Sequence, residues 1–188
     1  MISFKKFLFI ISFLIYPSFL YGDFLRIELN INKSQNLDIE LFNELAPNHV
    51  ERVIKLANEG KYDGVAFHRV IDGFMAQTGD IEYGNINSYN DAKVGIGGSK
   101  YKNLNPEFSS LSFVKGIVGM ARSRKIDSAN SQFFIMYEEA PWLDSKYTIF
   151  GKVINGIEIL DDIKKGSKTN NGLVNDPDFI VKAYVIKD

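Results

Sequence analysis

The sequence predicts an all-β domain with two helices, on three observations. Eight segments have strand length and strand-like patterning, only two stretches show helical features, and turn residues punctuate the chain throughout. Eight strands with that punctuation favour a closed antiparallel barrel or a sandwich, and strand count alone does not choose between them. The 188 residues, 45% of them apolar, suffice for one well-buried core and do not require two domains. Fifteen Phe and nine Tyr suit strands and the filling of a compact interior.

The first strand alternates cleanly, with Leu25, Ile27, Leu29 and Ile31 against Arg26, Glu28 and Asn30. Asn32–Asn36 is a polar turn. Leu37, Ile39 and Leu41 against Asp38 and Glu40 complete a hairpin. Pro47 opens a helix in which Val50, Val53, Ile54 and Ala57 recur at helical spacing, and Gly60 ends it. Further strands are predicted at Val65–Ile71, Phe74–Thr78, Gly116–Ala121, Ser131–Met136, Thr148–Val153 and Phe179–Ile186. A second helix is predicted to start at Asn155, paired with Glu158 as a cap, and to end with Lys164 and Lys165 before Gly166. The Asn/Gly-rich stretch Asp80–Leu111 is too irregular to assign and too long for a simple connection.

Residues 1–22 differ from the rest. Lys5 and Lys6 precede an uncharged stretch, Phe7–Gly22, with an apolar centre at Phe7–Ile15 and a break at Pro17. That centre has the length of a signal-peptide core and falls short of the ~20 apolar residues of a membrane span. Residues 1–22 are therefore expected to be a signal peptide cleaved after Gly22, with an uncleaved anchor as the alternative. Bulky Leu20 departs from the usual small-residue cleavage pattern. Cleavage would remove two of 22 basic side chains and none of 23 acidic ones, changing the net charge from −1 to −3. Neither value, nor the scattered Lys and Arg, suits a nucleic-acid surface. With no cysteine in the chain, disulfides, thiol catalysis and cysteine-ligated metals are excluded.

Three strands carry polar residues where apolar ones are expected. Alternation places Val65, Phe67, Arg69 and Ile71 on one face, Met75 and Gln77 on another, and Gln132, Phe134 and Met136 on a third. An arginine among such neighbours is costly unless it is paired or borders a cleft. Taken singly, each residue reads more readily as structure. Arg69 could snorkel or pair with Asp72 or Asp80, the glutamines could be exposed, and Met75 and Phe134 could be plain core. His49 and His68 lack ligand-spaced partners, so no metal site is expected.

The run Phe67-His68-Arg69-Val70-Ile71-Asp72-Gly73-Phe74-Met75-Ala76-Gln77-Thr78-Gly79-Asp80 closely resembles the central signature of the cyclophilins. Gly116–Ala121, Ser128–Ile135, Trp142–Tyr147 and Phe150–Val153 are similar to further blocks of that family in the same order. Weaker echoes begin at Leu37–Phe42, so the resemblance covers most of residues 23–188.

The resemblance implies a closed eight-stranded antiparallel β-barrel capped by two α-helices. It implies peptidyl-prolyl cis–trans isomerisation without a cofactor, with Arg69 as the catalytic residue. Phe74, Met75, Phe134 and Leu143 would form the proline pocket, and Gln77 and Gln132 its polar lining. Ala121 would lie against the substrate backbone, Trp142 matches a tryptophan associated with cyclosporin binding, and Gly95 matches the glycine-rich rim of a neighbouring groove. Tyr147, also assigned to substrate binding, stands where many members have His, and Arg122 stands where they have Asn. The loop Ser123–Asn130 is one residue longer than in those members. These features resemble the bacterial branch, and the Asp80–Leu111 stretch resembles its exported members, which points to the periplasm. Proline-containing polypeptides are the implied partners, cyclosporin an implied ligand, and a monomer the expected state. The alternatives are a proline-binding chaperone module with little catalysis and a barrel carrying a small ligand. The bulky inward alternation argues against the latter.

Overall fold

A computed structural model describes residues 23–31 and 36–187. The expected signal peptide and residues 32–35 of the expected turn lie outside the described residues. The elements in chain order are β1 (Phe24–Leu29), β2 (Asn36–Leu41), α1 (Pro47–Asn58), β3 (Arg69–Ile71), β4 (Met75–Thr78), β5 (Ile117–Met120), β6 (Phe133–Met136), β7 (Ile149–Asn155), α2 (Ile159–Asp162) and β8 (Ile180–Ile186). All eight strands join one antiparallel sheet in the order β3-β4-β6-β5-β7-β2-β1-β8. The first hairpin forms as its alternation predicts, with Leu25 opposite Ile39 and Ile27 opposite Leu37. In α1, Val50, Val53, Leu56 and Ala57 turn inward, and the helix lies against β8.

The sheet curls strongly and stays open, which corrects the expected closed barrel. Among the described residues no ladder joins β3 to β8. The cause lies in residues 64–68, whose backbone groups go to different partners. Ala66 N–H donates to Gly84 C=O, Phe67 N–H to Asp178 C=O, and Gly64 N–H to Ile180 C=O. The predicted strand Val65–Ile71 therefore pairs regularly only over its last three residues. The outer edge of β3 is covered by the segment that follows α2. Gly166 N–H donates to Val70 C=O, Val70 N–H to Gly172 C=O, and Val174 N–H to His68 C=O. An edge covered in this way cannot recruit another strand.

The second helix is also shorter than predicted, and its capping pair does not form. Asn155 belongs to β7, where it lies opposite Asp38 and donates its side-chain amide to the Asp38 carboxylate (3.2 Å). That carboxylate also holds Arg26 in a two-point pair at 2.7 and 2.9 Å. An amide engaged across the sheet is not available to cap a helix, and α2 is left with a single turn.

Two apolar clusters flank the sheet. The main core takes Val70, Ala76, Val118, Met120, Phe133 and Ile135 from β3 to β6, together with the hairpin and α1. A second cluster takes Met75, Ile117, Phe134 and Met136 from the alternate positions, joined by Phe113, Leu143 and Ile149, with Ile71, Phe74 and Tyr147 packed against it. These strands are buried on both faces. Arg69 shares the second face with Ile71, not with Phe67, which lies in the main core.

Candidate active site

Register brings the expected site residues into one row across the outer face. Arg69 lies opposite Gln77, Gln77 opposite Phe134, and Phe134 opposite Gly119. Gly119 is required there, because a β-carbon would fall 2.5 Å from Phe134 Cζ and 2.6 Å from Phe113 Cε1. Its absence lets those two rings stack at 5.7 Å between centroids. Tyr147 stands edge-on to Phe134 at 5.8 Å. Phe74 packs against Trp142 at 5.9 Å. A 3₁₀ turn, Pro141–Leu143, delivers Leu143 to the same cluster.

The result is a cavity of about 190 Å³ lined by Arg69, Phe74, Met75, Gln77, Ala121, Arg122, Phe134, Leu143 and Tyr147. A neighbouring groove of about 310 Å³ shares Gln77, Ala121 and Arg122 and adds Gln132, Gly95 and Gly97. Eight of the ten expected site residues therefore line the first cavity. Gln132 lies in the groove instead. Trp142 lines neither; it is 59% exposed and supports Phe74 from outside.

Arg69 is held on both sides. Its Nε donates to the backbone carbonyl of Asn171 (3.0 Å) and one terminal nitrogen to Asn171 Oδ1 (3.1 Å). The other terminal nitrogen donates to Gln77 Oε1 (3.2 Å) and lies 3.7 Å from Met75 Sδ. A relay of amides continues outward, from Gln77 Nε2 to Gln132 Oε1 (2.9 Å) and from Gln132 Nε2 to the Gly97 carbonyl (2.8 Å). Each glutamine turns its oxygen toward the cation, so the guanidinium meets a row of aligned dipoles. Among the described residues Arg69 has no carboxylate partner. Burial lowers its pKa and nearby Tyr147 acts in the opposite direction; a guanidinium so placed remains charged.

Asn171 carries no motif that a reading of the sequence could find. It is 102 residues from Arg69 and reaches it from a loop, with a left-handed backbone at φ 51°. Asparagine tolerates that conformation better than most residues, which is the only local signal. Gly97 lies in the expected glycine-rich rim beside Gly95, but no local signal marks its carbonyl as the acceptor of Gln132. That carbonyl is positioned by Asp80, fully buried, whose carboxylate accepts from the N–H groups of Glu82, Tyr83, Gly95 and Gly97 at 2.7–3.2 Å. A β-carbon at Gly97 would collide with Asp80 Oδ1. Asp80 is thus occupied by backbone donors and is not the counter-ion of Arg69. Glu107, from the same long stretch, accepts from Asn48 N–H, His49 N–H and His49 Nδ1, fastening the start of α1. His68 lies behind Arg69 and Gln77, 2% exposed, with no partner for either ring nitrogen. Burial pushes its pKa down to about 4 against the opposing charge of Asp80.

The site is a cation fixed beside an apolar cleft on a curled antiparallel sheet. Comparison with known proteins identifies the family. Residues 26–185 match the family model for cyclophilin type peptidyl-prolyl cis-trans isomerase/CLD. A probable peptidyl-prolyl cis-trans isomerase of Brucella suis biovar 1 (strain 1330) is 53% identical over 157 residues, covering 83% of this chain and 80% of that one. Peptidyl-prolyl cis-trans isomerase-like 3 of Gallus gallus is 42% identical over 132 residues, covering 69% and 76%. Among solved structures, a cyclophilin type isomerase of Cryptosporidium parvum, crystallised in the presence of the dipeptide Ala-Pro, superposes with a TM-score of 0.74 at 29% identity. The match covers 88% of this chain and 99% of that one. The chain belongs to the cyclophilin-type peptidyl-prolyl cis–trans isomerases.

Proposed function

We propose that Arg69 drives rotation about X–Pro bonds by stabilising the twisted amide, with the ring of proline seated against Phe74, Met75, Phe134 and Leu143. The barrier of ~18–20 kcal/mol arises from amide resonance. In the twisted state that resonance is lost and the proline nitrogen regains its lone pair. A fixed cation aimed at that nitrogen, or at the adjoining carbonyl, favours the twisted state over both planar ones. No bond breaks, so neither a nucleophile nor an acid–base pair is needed.

The observation that carries this reading is the anchoring of Arg69 by neutral acceptors only. Asn171 and Gln77 fix its direction while leaving its charge uncompensated. Four of its five N–H bonds point at protein acceptors, one of them the weak acceptor Met75 Sδ, and the fifth is left for substrate. The apolar wall holds one side of the rotating bond, and Ala121, just past the end of β5, lines both pocket and groove beside it. The Ala-Pro dipeptide present with the Cryptosporidium parvum neighbour supports a proline-containing substrate.

The physiological substrates would be X–Pro bonds of folding polypeptides, met outside the cytoplasm if residues 1–22 act as an export signal. The periplasm fits that reading, and the expected monomer fits a site built from one chain. Cyclosporin would compete for the same pocket beside Trp142.

The test is isomerisation of a proline tetrapeptide followed by exchange NMR. Arg69→Ala is expected to lower kcat/KM by about a hundredfold or more, in line with loss of one preorganised electrostatic group. Wild-type rates in the variant would overturn the mechanism. Mass spectrometry of the exported protein's N-terminus tests cleavage after Gly22.

A further inference from the structure

We infer that Arg122 makes this isomerase select X–Pro segments carrying a carboxylate close to the proline. The inference rests on the pocket reading above and adds a substrate class to it. Arg122 lies where the two cavities meet and lines both. Its Nε and one terminal nitrogen donate to the Lys146 carbonyl (3.3 and 2.9 Å), and the other terminal nitrogen donates to the Ser123 carbonyl (3.0 Å). Its Cζ lies 4.5 Å from the centroid of the Tyr147 ring. That ring stands edge-on to Phe134 in the proline pocket. The guanidinium is therefore fixed against the pocket wall.

Every one of these partners is neutral. The nearby acids do not compensate Arg122: Asp127 forms no ion pair with it, and Asp144 gives Oδ1 to the Phe113 N–H (2.8 Å). Three of its five N–H bonds are used, which leaves two for a ligand. With Arg69 across the same cavity, the mouth presents two oriented guanidiniums and, among the described residues, no carboxylate paired to either. Exposed Arg124, Lys125 and Lys146 on the same segments add to the positive field. This concentration of positive charge stands on a chain whose net charge is −1.

Guanidiniums pair with carboxylates in a planar two-point geometry, so an Asp or Glu side chain is the group these donors fit. The acid must be near the proline, because a chain advances only ~3.3–3.6 Å per residue and Arg122 forms part of the wall that holds the ring. Acidic residues directly before or after proline meet that requirement.

The test uses the purified chain and short peptides with Glu, Gln or Lys immediately before or after proline, with isomerisation read by exchange NMR. At low salt the Glu peptide at the favoured position is expected to exceed its Gln isostere about fivefold in kcat/KM, with Lys slowest. The ratio should shrink toward one in high salt. It should also collapse in Arg122→Gln and fall only partway in Arg122→Lys, which keeps the charge but not the two-point geometry. A wild-type ratio of one, with the Gln peptides still turned over, overturns the inference and leaves the isomerase reading standing. A preference undiminished in Arg122→Gln, or equal ratios in the Lys and Gln variants, also overturns it. Failure to isomerise any peptide removes the underlying reading instead.

Discussion

On the inner face of β3 to β6 stand Val70, Ala76, Val118, Met120, Phe133 and Ile135, none more than 1% exposed. On the outer face, one position along each strand, stand Arg69, Met75, Gln77 and Phe134, with Gly119 opposite Phe134. Both faces are packed, yet only the outer one admits a cation and amides. The inner face is sealed by the hairpin and α1; its few polar groups, such as the Thr78 and Tyr62 hydroxyls, donate to backbone carbonyls, and a charge there would lose water without a counter-ion. The outer face is covered incompletely, by loops whose carbonyls and amides supply those partners. The same backbone thus carries stability on one side and chemistry on the other.

The adjacent residues Phe133 and Phe134 test that division most strongly. Phe133 packs edge-to-face on Tyr62 and Phe150, fully buried. Phe133→Ala is expected to cost ~3–5 kcal/mol in urea unfolding. Phe134→Ala should cost about half as much but lower kcat/KM at least tenfold by opening the pocket wall. Equal stability losses with equal activities would dissolve the distinction between the faces.

The next effect concerns His68, beneath the polar row. Protonation is disfavoured in the folded state, where its pKa is about 4, relative to about 6.5 when unfolded. The unfolded chain therefore binds more protons between those values, and stability rises with pH across that window. Stability should be complete above pH 6.5 and fall by up to about 3 kcal/mol toward pH 4. His49, whose pKa burial also lowers, acts with the same sign, so the contribution of His68 is the difference between wild type and His68→Gln. The isomerisation rate of folded protein should stay flat from pH 6 to 9, because Arg69 exchanges no proton. A bell-shaped rate profile would contradict that.

Smaller changes sharpen the comparison on the outer face alone. Gly119→Ala should cost about 1–3 kcal/mol by displacing Phe113 and Phe134, and should raise KM more than it lowers kcat. Asn171→Gly keeps the left-handed backbone and the carbonyl acceptor but removes Oδ1. A loss of about fivefold in kcat is expected from one charged hydrogen bond, with a melting temperature little changed. Unaltered kcat would show that the residue-171 carbonyl and Gln77 suffice to position Arg69.

Period-2 alternation is enough to read the hairpin and the polar residues that share faces, and helical spacing between Pro47 and Gly60 is enough to read α1. Arg69 with Ile71, Met75 with Gln77, and Gln132 with Phe134 do share faces. What alternation cannot show is which cluster each face joins, and it groups Phe67 with Arg69 because it treats residues 65–68 as regular strand. Their backbone bonds to Gly84, Asp178 and Ile180 are all non-local. The open edge between β3 and β8 was illegible for the same reason, as was the loss of a capping amide at Asn155 to a carboxylate 117 residues away. The support of Arg69 by Asn171 is another long-range contact. Family blocks identified the pocket, but Arg122 stood there only as a departure until its neutral partners were visible.

Asp80 gathers two separated stretches of a long loop onto one carboxylate and so fixes the Gly97 carbonyl that ends the amide relay. The residues between Tyr83 and Gly95 are tethered at both ends by that single side chain. Between those ends, Gly84 C=O and Ile86 N–H bond to Ala66 and Gly64, so the loop is also pinned to the stretch that precedes β3. One carboxylate thereby couples the folding of that loop to the far end of the relay on which Arg69 depends.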